Sequence, residues 1–223
     1  MRGSLNVVLL LITIVGGRII PAFTGNALRA RGTKVKMRSS RSLEVGVIAL
    51  TVGYGFADVA APLSTATGVI AAAAALAHFL RWSGWHGLRS WREPIVWILH
   101  AGYVWLPIGL ALKAIFVLAE ASWAVHWQHA LGAGAAGTMI MAVMTRASLG
   151  HTGRPLHVSR LIVVAYAMLI ASIVLRVFGA SVLQLQYAST ITTAGALWIL
   201  AFLLYSGVYV PILTRPRVDG KPG

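Results

Sequence analysis

The sequence predicts an all-α, polytopic membrane protein built from about seven transmembrane helices. Hydrophobic residues make up 58% of the 223 residues and charged residues only 11%, which is typical of a membrane-embedded bundle. Several stretches are apolar enough and long enough to cross a hydrocarbon core, which takes about 20 helical residues. Basic residues also concentrate in alternate loops. The prediction is one transmembrane domain over residues 1–214, followed by a disordered cytoplasmic tail over 215–223.

The predicted spans are the apolar stretches of the chain, taken in order. Pro62 marks one turn, and Pro94 stands in a first helical turn, where its missing N–H costs nothing. The Trp- and Arg-rich segment at 81–93 is expected to lie at the membrane surface. The predicted spans are residues 5–23, 43–61, 63–80, 94–120, 130–145, 161–177 and 190–213.

The distribution of charge predicts the orientation of the bundle. The chain has 19 Lys and Arg against five Asp and Glu, a formal charge of +14. If alternate loops share a side, only Arg2, Lys113 and Arg176 fall outside, so the positive-inside rule places the N-terminus outside and the C-terminus in the cytoplasm. The excess charge is then explained by topology and by contact with an anionic lipid bilayer, and nucleic acid is not predicted as a partner.

The span at 130–145 joins two polar ends. Its glycines and alanines would let other helices approach closely inside the bilayer. His126 and His129 precede it with HxxH spacing, which on a helix can direct two imidazoles to one metal ion; the alternative is a polar helix end at the interface. Beyond its other end, a short loop contains Arg146, His151 and Arg154.

Two further histidines and one more arginine complete the candidate site residues. His78 and His100 fall at similar depth on consecutive spans, the arrangement that bis-histidine haem ligation in a bundle requires. The alternative is that each only hydrogen-bonds a carbonyl or a Ser/Thr hydroxyl. Arg18, with Arg146 and Arg154, could hold an anion such as a haem propionate; basic residues that simply mark the inner helix ends are the alternative.

Other chemistry is limited by composition. Because the chain has no cysteine, disulfides and thiolate metal sites are excluded. Motifs of hydrolases and kinases are missing, so catalytic residues stay unassigned. Asp58, Lys113 and Glu120 lie in or near spans, close to the outer surface, and suggest the alternative of an ion or metal transporter or channel subunit.

Three segments resemble the NnrS family in the same order and with plausible spacing. They are IVGGRIIPAFTGNAL at 14–28, LHAGYVWLPIGLAL at 99–112 and HALGAGAAGTMIMAVMTRASLGHTGRPL at 129–156. The resemblance covers essentially the whole chain and corresponds to the C-terminal half of the family. It implies a partnership with a missing N-terminal half, which in the family also supplies histidine-containing helices.

The resemblance implies a function that the residues alone do not. NnrS proteins are polytopic bacterial inner-membrane proteins described as containing haem and copper and associated with nitric oxide, nitrosative stress and denitrification. The expected cofactor is therefore haem, with copper as a second candidate, and the expected small molecule is NO. His100, His129 and His151 fall within the matching segments, whereas His78 and His126 lie outside them.

Overall fold

A computed structural model describes residues 2–33 and 35–220 as a bundle of seven long helices. Six of them are long and apolar enough to cross a membrane. The remaining helix, Thr65–Ser83, has 19 residues and would extend about 28 Å. The seven helices are α1 Arg2–Ala30, α2 Arg41–Ala60, α3 Thr65–Ser83, α4 Pro94–Leu118, α5 Ser122–His151, α6 Arg160–Gly179 and α7 Tyr187–Leu213.

This architecture confirms the all-α, membrane-spanning prediction, and four helices begin at a residue whose side chain caps them. Ser40, Ser64, Ser159 and Gln186 each accept a hydrogen bond from a backbone N–H of the first turn, of α2, α3, α6 and α7 respectively. Such caps satisfy donors that the helix itself leaves unpaired. The orientation of the termini relative to the membrane stays a prediction.

Two helices extend further than predicted. The first continues through Gly16 and Gly17 to Ala30, and α5 continues through Arg146 to His151. The predicted ends of these two spans, at residues 23 and 145, are therefore wrong, and Arg146 and His151 lie in a helix rather than in the predicted loop. Glycine is tolerated in membrane helices, where close packing offsets its weak helix propensity, and polar last turns extend helices beyond the apolar core.

Helix α4 lies at the centre of the bundle and contacts α1, α3 and α5. Small residues permit this packing: Gly109 faces Leu131, and Gly134 faces Trp105. A Cβ on either glycine would overlap the opposing side chain. The close approach predicted for the small residues of α5 is thus confirmed against α4.

The loops at 31–40, 84–93 and 152–159 lie at one end of the bundle, which we call the basic face. The backbone N–H of Arg38 donates to Gly84 O at 3.1 Å, joining two of these loops. The tail lies at the same end, where the guanidinium of Arg217 donates to His151 O at 2.7 Å. The predicted disordered tail begins at 215, and its last three residues lie outside the described part of the chain.

Three of the helices contain a short π-helical segment. These segments are Ile12–Gly16 in α1, Ala130–Gly137 in α5 and Leu175–Gly179 in α6. A π-helical turn shifts the backbone hydrogen-bond register, and such turns often occur at functional sites. Each segment here lies beside a polar side-chain cluster.

Candidate functional site: a buried histidine cluster

Polar side chains from the first four helices meet inside the half of the bundle nearer the basic face. We call them the histidine cluster. Helices α3 and α4 each contribute two residues that are three positions apart, and this spacing places both residues on one face of the helix. The members are Thr13, Thr24, Glu44, Thr51, His78, Arg81, His100 and Tyr103.

The buried side chain of Arg81 connects its own helix α3 to α1, α2 and α4. Its guanidinium forms an ion pair with Glu44 and donates to the carbonyl of Thr13 at 2.7 Å. Thr13 belongs to the π-helical segment of α1. Arg81 also lies against the Trp85 ring, 5.5 Å from its centroid. A buried guanidinium is stable only when its donors are satisfied in this way.

The surrounding hydroxyl groups determine which nitrogen of His78 carries its proton. The Thr51 hydroxyl donates to Val47 O at 2.7 Å, so its oxygen accepts from Nε2–H of His78 at 3.0 Å. The Nδ1 atom then accepts from the Tyr103 hydroxyl at 2.8 Å. Tyr103 in turn accepts from Arg81 at 3.2 Å. Both imidazole nitrogens of His78 are therefore occupied.

The same reasoning gives His100 a free nitrogen. The Thr24 hydroxyl donates to Ile20 O at 2.8 Å, so it accepts from Nε2–H of His100 at 2.8 Å. The neutral imidazole consequently has an unprotonated Nδ1, which has no hydrogen-bond partner although it is buried. A histidine held by one hydrogen bond with its other nitrogen free has the form of a metal ligand.

An aromatic cavity of about 350 Å³ lies beside His100. Trp82, Trp91 and Trp97 line it, and the loop residue Gly87 lies against the imidazole. A Cβ at position 87 would lie 2.5 Å from Nδ1, so only glycine fits. The preceding residue, His86, has φ 55°, a left-handed conformation that is uncommon outside glycine but that histidine adopts more often than most residues.

The interfacial segment at 81–93 is therefore only partly at the surface. Leu88 and Trp91 are exposed, as expected at a membrane boundary. Trp85 instead is 1% exposed and packs on Tyr103, with ring centroids 4.6 Å apart. This loop closes the histidine cluster at the basic face.

His126 and His129 lie at the opposite end of the bundle. Their rings are stacked with centroids 5.7 Å apart, so the HxxH spacing does bring two imidazoles together. His129 also lines a cavity of about 270 Å³ with Arg176 and Trp198. Within residues 2–33 and 35–220 no group of three or more His, Cys, Asp or Glu is placed to hold a metal ion.

The remaining predicted site residues lie in different surroundings. His151 and Arg18 are exposed. Arg146 lies over the Phe23 ring, 3.4 Å from its centroid, and Phe23 precedes the Thr24 that binds His100. Arg154 is half-buried, and one of its terminal nitrogens has no partner.

Two of the three charged residues near the opposite end, Asp58 and Lys113, do not reach the surface as expected. Lys113 is fully buried and its ammonium lies 3.0 Å from the Asp58 carboxylate. The same ammonium lies 4.0 Å from the centroid of the Trp127 ring. Glu120 follows the end of α4 and is exposed. Pairing across α2 and α4 explains why Lys113 is buried.

Comparison with known proteins identifies the family. The family model described as NnrS protein matches residues 1–217. The chain belongs to the NnrS family. Searches of curated proteins and of solved structures found no match to the chain.

The histidine cluster of this NnrS chain can be compared with what binding of the expected haem would require. His100 offers one free nitrogen next to an aromatic cavity, which suits the edge or face of a porphyrin. His78 offers none while Tyr103 and Thr51 occupy it. The residues therefore fit a haem that would be held by His100 and not also by His78, and Gly87 would have to move away from the imidazole to admit it.

Sequence reasoning did not single out Arg81, Glu44 or Tyr103. An arginine directly after a predicted span, at the start of the predicted interfacial segment, looks like an ordinary inner-face residue. Tyr103 lies three positions after His100, within one of the segments that resemble the NnrS family. That spacing places Tyr103 on the same helix face as His100, so the sequence did indicate that the two side chains could belong to one site.

Proposed function

We propose that this NnrS family member is a bacterial inner-membrane protein of the nitric oxide response that binds haem through His100. Family membership supports the link to nitric oxide. The observation that carries the haem assignment is the buried, unprotonated and unpartnered Nδ1 of His100 beside a cavity lined by tryptophan.

The residues of the chain have distinct tasks in this proposal. Thr24 holds the Nε2–H of His100 and thereby fixes the tautomer and the ring orientation. Trp82 and Trp97 supply an apolar wall that excludes water. Arg146 lies over Phe23, the residue before Thr24, and is the cation proposed to pair with an acidic substituent of the haem. A haem held by His100 would supply an iron centre at which NO could bind.

Copper is the second metal of the proposal, and the His126–His129 pair is its candidate ligand set. Two stacked imidazoles supply two nitrogen donors, and imidazole suits copper. Arg176 lines the same cavity as His129, and its positive charge would repel a metal ion rather than bind it. Further ligands would thus have to be water or another added molecule.

The experiment is a reduced-minus-oxidised visible spectrum of the purified protein after expression with added haem, recorded before and after NO. His100→Ala is expected to remove the Soret band. The matched control is His78→Ala, also buried but with both nitrogens occupied in the parent protein; it is expected to retain the band.

Three outcomes would contradict the assignment. No chromophore in the parent protein would overturn haem binding by this chain. Loss of the band in His129→Ala but not in His100→Ala would move the site to the opposite end of the bundle. Equal loss in His100→Ala and His78→Ala, with both variants folded, would indicate ligation by both histidines and refute the single-ligand arrangement.

The transporter alternative is less well supported by the geometry. Asp58 and Lys113 neutralise each other inside the bundle, and Glu120 lies outside helix α4. The described residues thus do not align the three charges along one helix face. The variants Asp58→Asn and Lys113→Met separate a structural ion pair from a transport pathway.

A further inference from the structure

A second cavity, unrelated to the histidine cluster, opens at the basic face and has a volume of about 840 Å³. We call it the basic pocket. Its charged lining residues are Lys36, Arg38 and Arg89, from two different loops. The lining includes no Asp or Glu.

Backbone contacts hold the two loops of the basic pocket together. The hydrogen bond from the backbone N–H of Arg38 to Gly84 O joins them. The two backbones are so close that a Cβ at Gly84 would lie 2.5 Å from Arg38 O. The imidazole of His86 donates from Nε2 to Lys36 O at 3.3 Å. The two loops are therefore joined through their backbones, and the pocket between them does not depend on side-chain contacts alone.

The nearest acid does not neutralise this pocket. Glu44, one turn into α2, is already paired with Arg81 and accepts from the Ser39 hydroxyl at 3.0 Å. The first turn of α2 adds the positive end of a 20-residue helix. The three cations thus face the opening without a carboxylate partner in the lining.

The apolar part of the lining indicates what kind of anion fits. Leu43 and Leu80 line the pocket from the ends of two membrane-spanning helices. Beyond them, the outer surfaces of α2 and α3 carry exposed Val45, Leu76 and Phe79. A ligand with a phosphate group and adjoining acyl chains would match both the cations and this apolar surface.

We propose that the basic pocket binds the phosphate group of an anionic phospholipid from the surrounding bilayer. The cations of both loops contact the headgroup, and the acyl chains lie along α2 and α3. The basic pocket shares the loop at 84–93 with the cavity beside His100, but none of its three cations lines that cavity. Bound lipid would then bridge the loop before α2 to the loop after α3, adding to the backbone contact between Arg38 and Gly84.

Native mass spectrometry of the delipidated, detergent-purified protein tests this proposal. Phosphatidylglycerol should bind in preference to phosphatidylcholine, whose headgroup has no net charge. The variant Lys36→Gln/Arg38→Gln/Arg89→Gln is expected to weaken phosphatidylglycerol binding roughly a hundredfold, since each cation near a membrane surface contributes about a fivefold factor.

The matched control removes the same number of charges from the basic face outside the pocket, as Arg31→Gln/Arg160→Gln/Arg215→Gln. It should bind phosphatidylglycerol as the parent does. Equal weakening in both triple variants would show only diffuse attraction and overturn the pocket. The single variants Lys36→Gln and Arg89→Gln leave Arg38 unchanged, and each should lose about fivefold even if the triple variant folds poorly.

Inorganic phosphate serves as the second probe. A lipid site should retain phosphatidylglycerol when millimolar phosphate is added, because the free ion lacks acyl chains. Displacement by phosphate, or equal binding of phosphatidylcholine, would overturn the lipid assignment. Neither result would alter the spectrum expected for His100, so this proposal and the haem proposal fail separately.

Discussion

The buried ion pair between Lys113 and Asp58 gives the sharpest test of how this bundle is stabilised. The perturbations are Asp58→Asn, Lys113→Met and the double variant. Each single change leaves one buried charge without its partner. The double change removes both charges together and keeps the side chains close to their original size.

The structure sets the scale of the effect. At 3.0 Å and an effective dielectric constant of about 20, the attraction is about 5–6 kcal/mol. Much of it only offsets the cost of burying two charges, so removal of one partner is expected to cost about 3–5 kcal/mol. The Trp127 ring beside Lys113 should reduce the penalty in Asp58→Asn by about 1 kcal/mol.

The assay is thermal unfolding in detergent, followed by circular dichroism for all four proteins. Each single variant should lower the midpoint by about 10 °C, given roughly 2–4 °C per kcal/mol for a chain of this size. The double variant should be more stable than the sum of the single effects, with a coupling energy of about 2–3 kcal/mol.

Two results would refute this reasoning. Additive single effects would mean that the two charges do not stabilise each other in the folded protein. Unchanged midpoints in both single variants, together with loss of ion flux into liposomes, would assign the pair to transport. In that case the transporter alternative would replace the structural role.

Two further predictions concern the histidine cluster. Gly17→Ala places a Cβ on the Arg81 guanidinium, so overpacking should cost about 1–3 kcal/mol and exceed the gain in helix propensity; Gly53→Ala, with open space around it, should leave the unfolding midpoint unchanged or higher. Tyr103→Phe removes the hydroxyl between His78 and Arg81 and should destabilise by about 1–3 kcal/mol. Equal midpoints for the two alanine variants, or a Tyr103→Phe protein as stable as the parent, would contradict the assigned contacts.

The helical architecture was predictable because long apolar runs have few alternatives in a bilayer. The predicted span at 43–61 differs from Arg41–Ala60 by only one or two residues at each end. The larger errors fell where polarity changes gradually, as at the extension of α5 to His151. Hydropathy marks the apolar core of a span, whereas hydrogen bonding and packing determine where the helix ends.

The histidine cluster was predictable only in part. The similar depth of His78 and His100 follows from counting residues along two adjacent spans. Which imidazole nitrogen is free depends on the rotation of four helices about their axes, and on hydroxyl partners such as Thr24 and Thr51. Sequence spacing within one helix does not determine that rotation between helices.

The same limitation applies to Lys113. A lysine near the end of a predicted span is expected to extend towards water. Its partner Asp58 lies on another helix, 55 positions earlier in the numbering, and nothing in either local sequence pairs the two. Only the arrangement of α2 and α4 within the folded bundle places the carboxylate 3.0 Å from the ammonium.

Helix α4 is attached to its neighbours by polar contacts in both halves of the bundle. Tyr103 and His100 contact α1 and α3 near one end, and Lys113 contacts α2 near the other. Lys113 follows Tyr103 by ten positions, which corresponds to about 15 Å along the helix. A rotation or a one-turn slide would break both sets of contacts at once. Helix α4 is therefore a stationary reference for the bundle, and movement during ligand entry would have to come from the loop over His100.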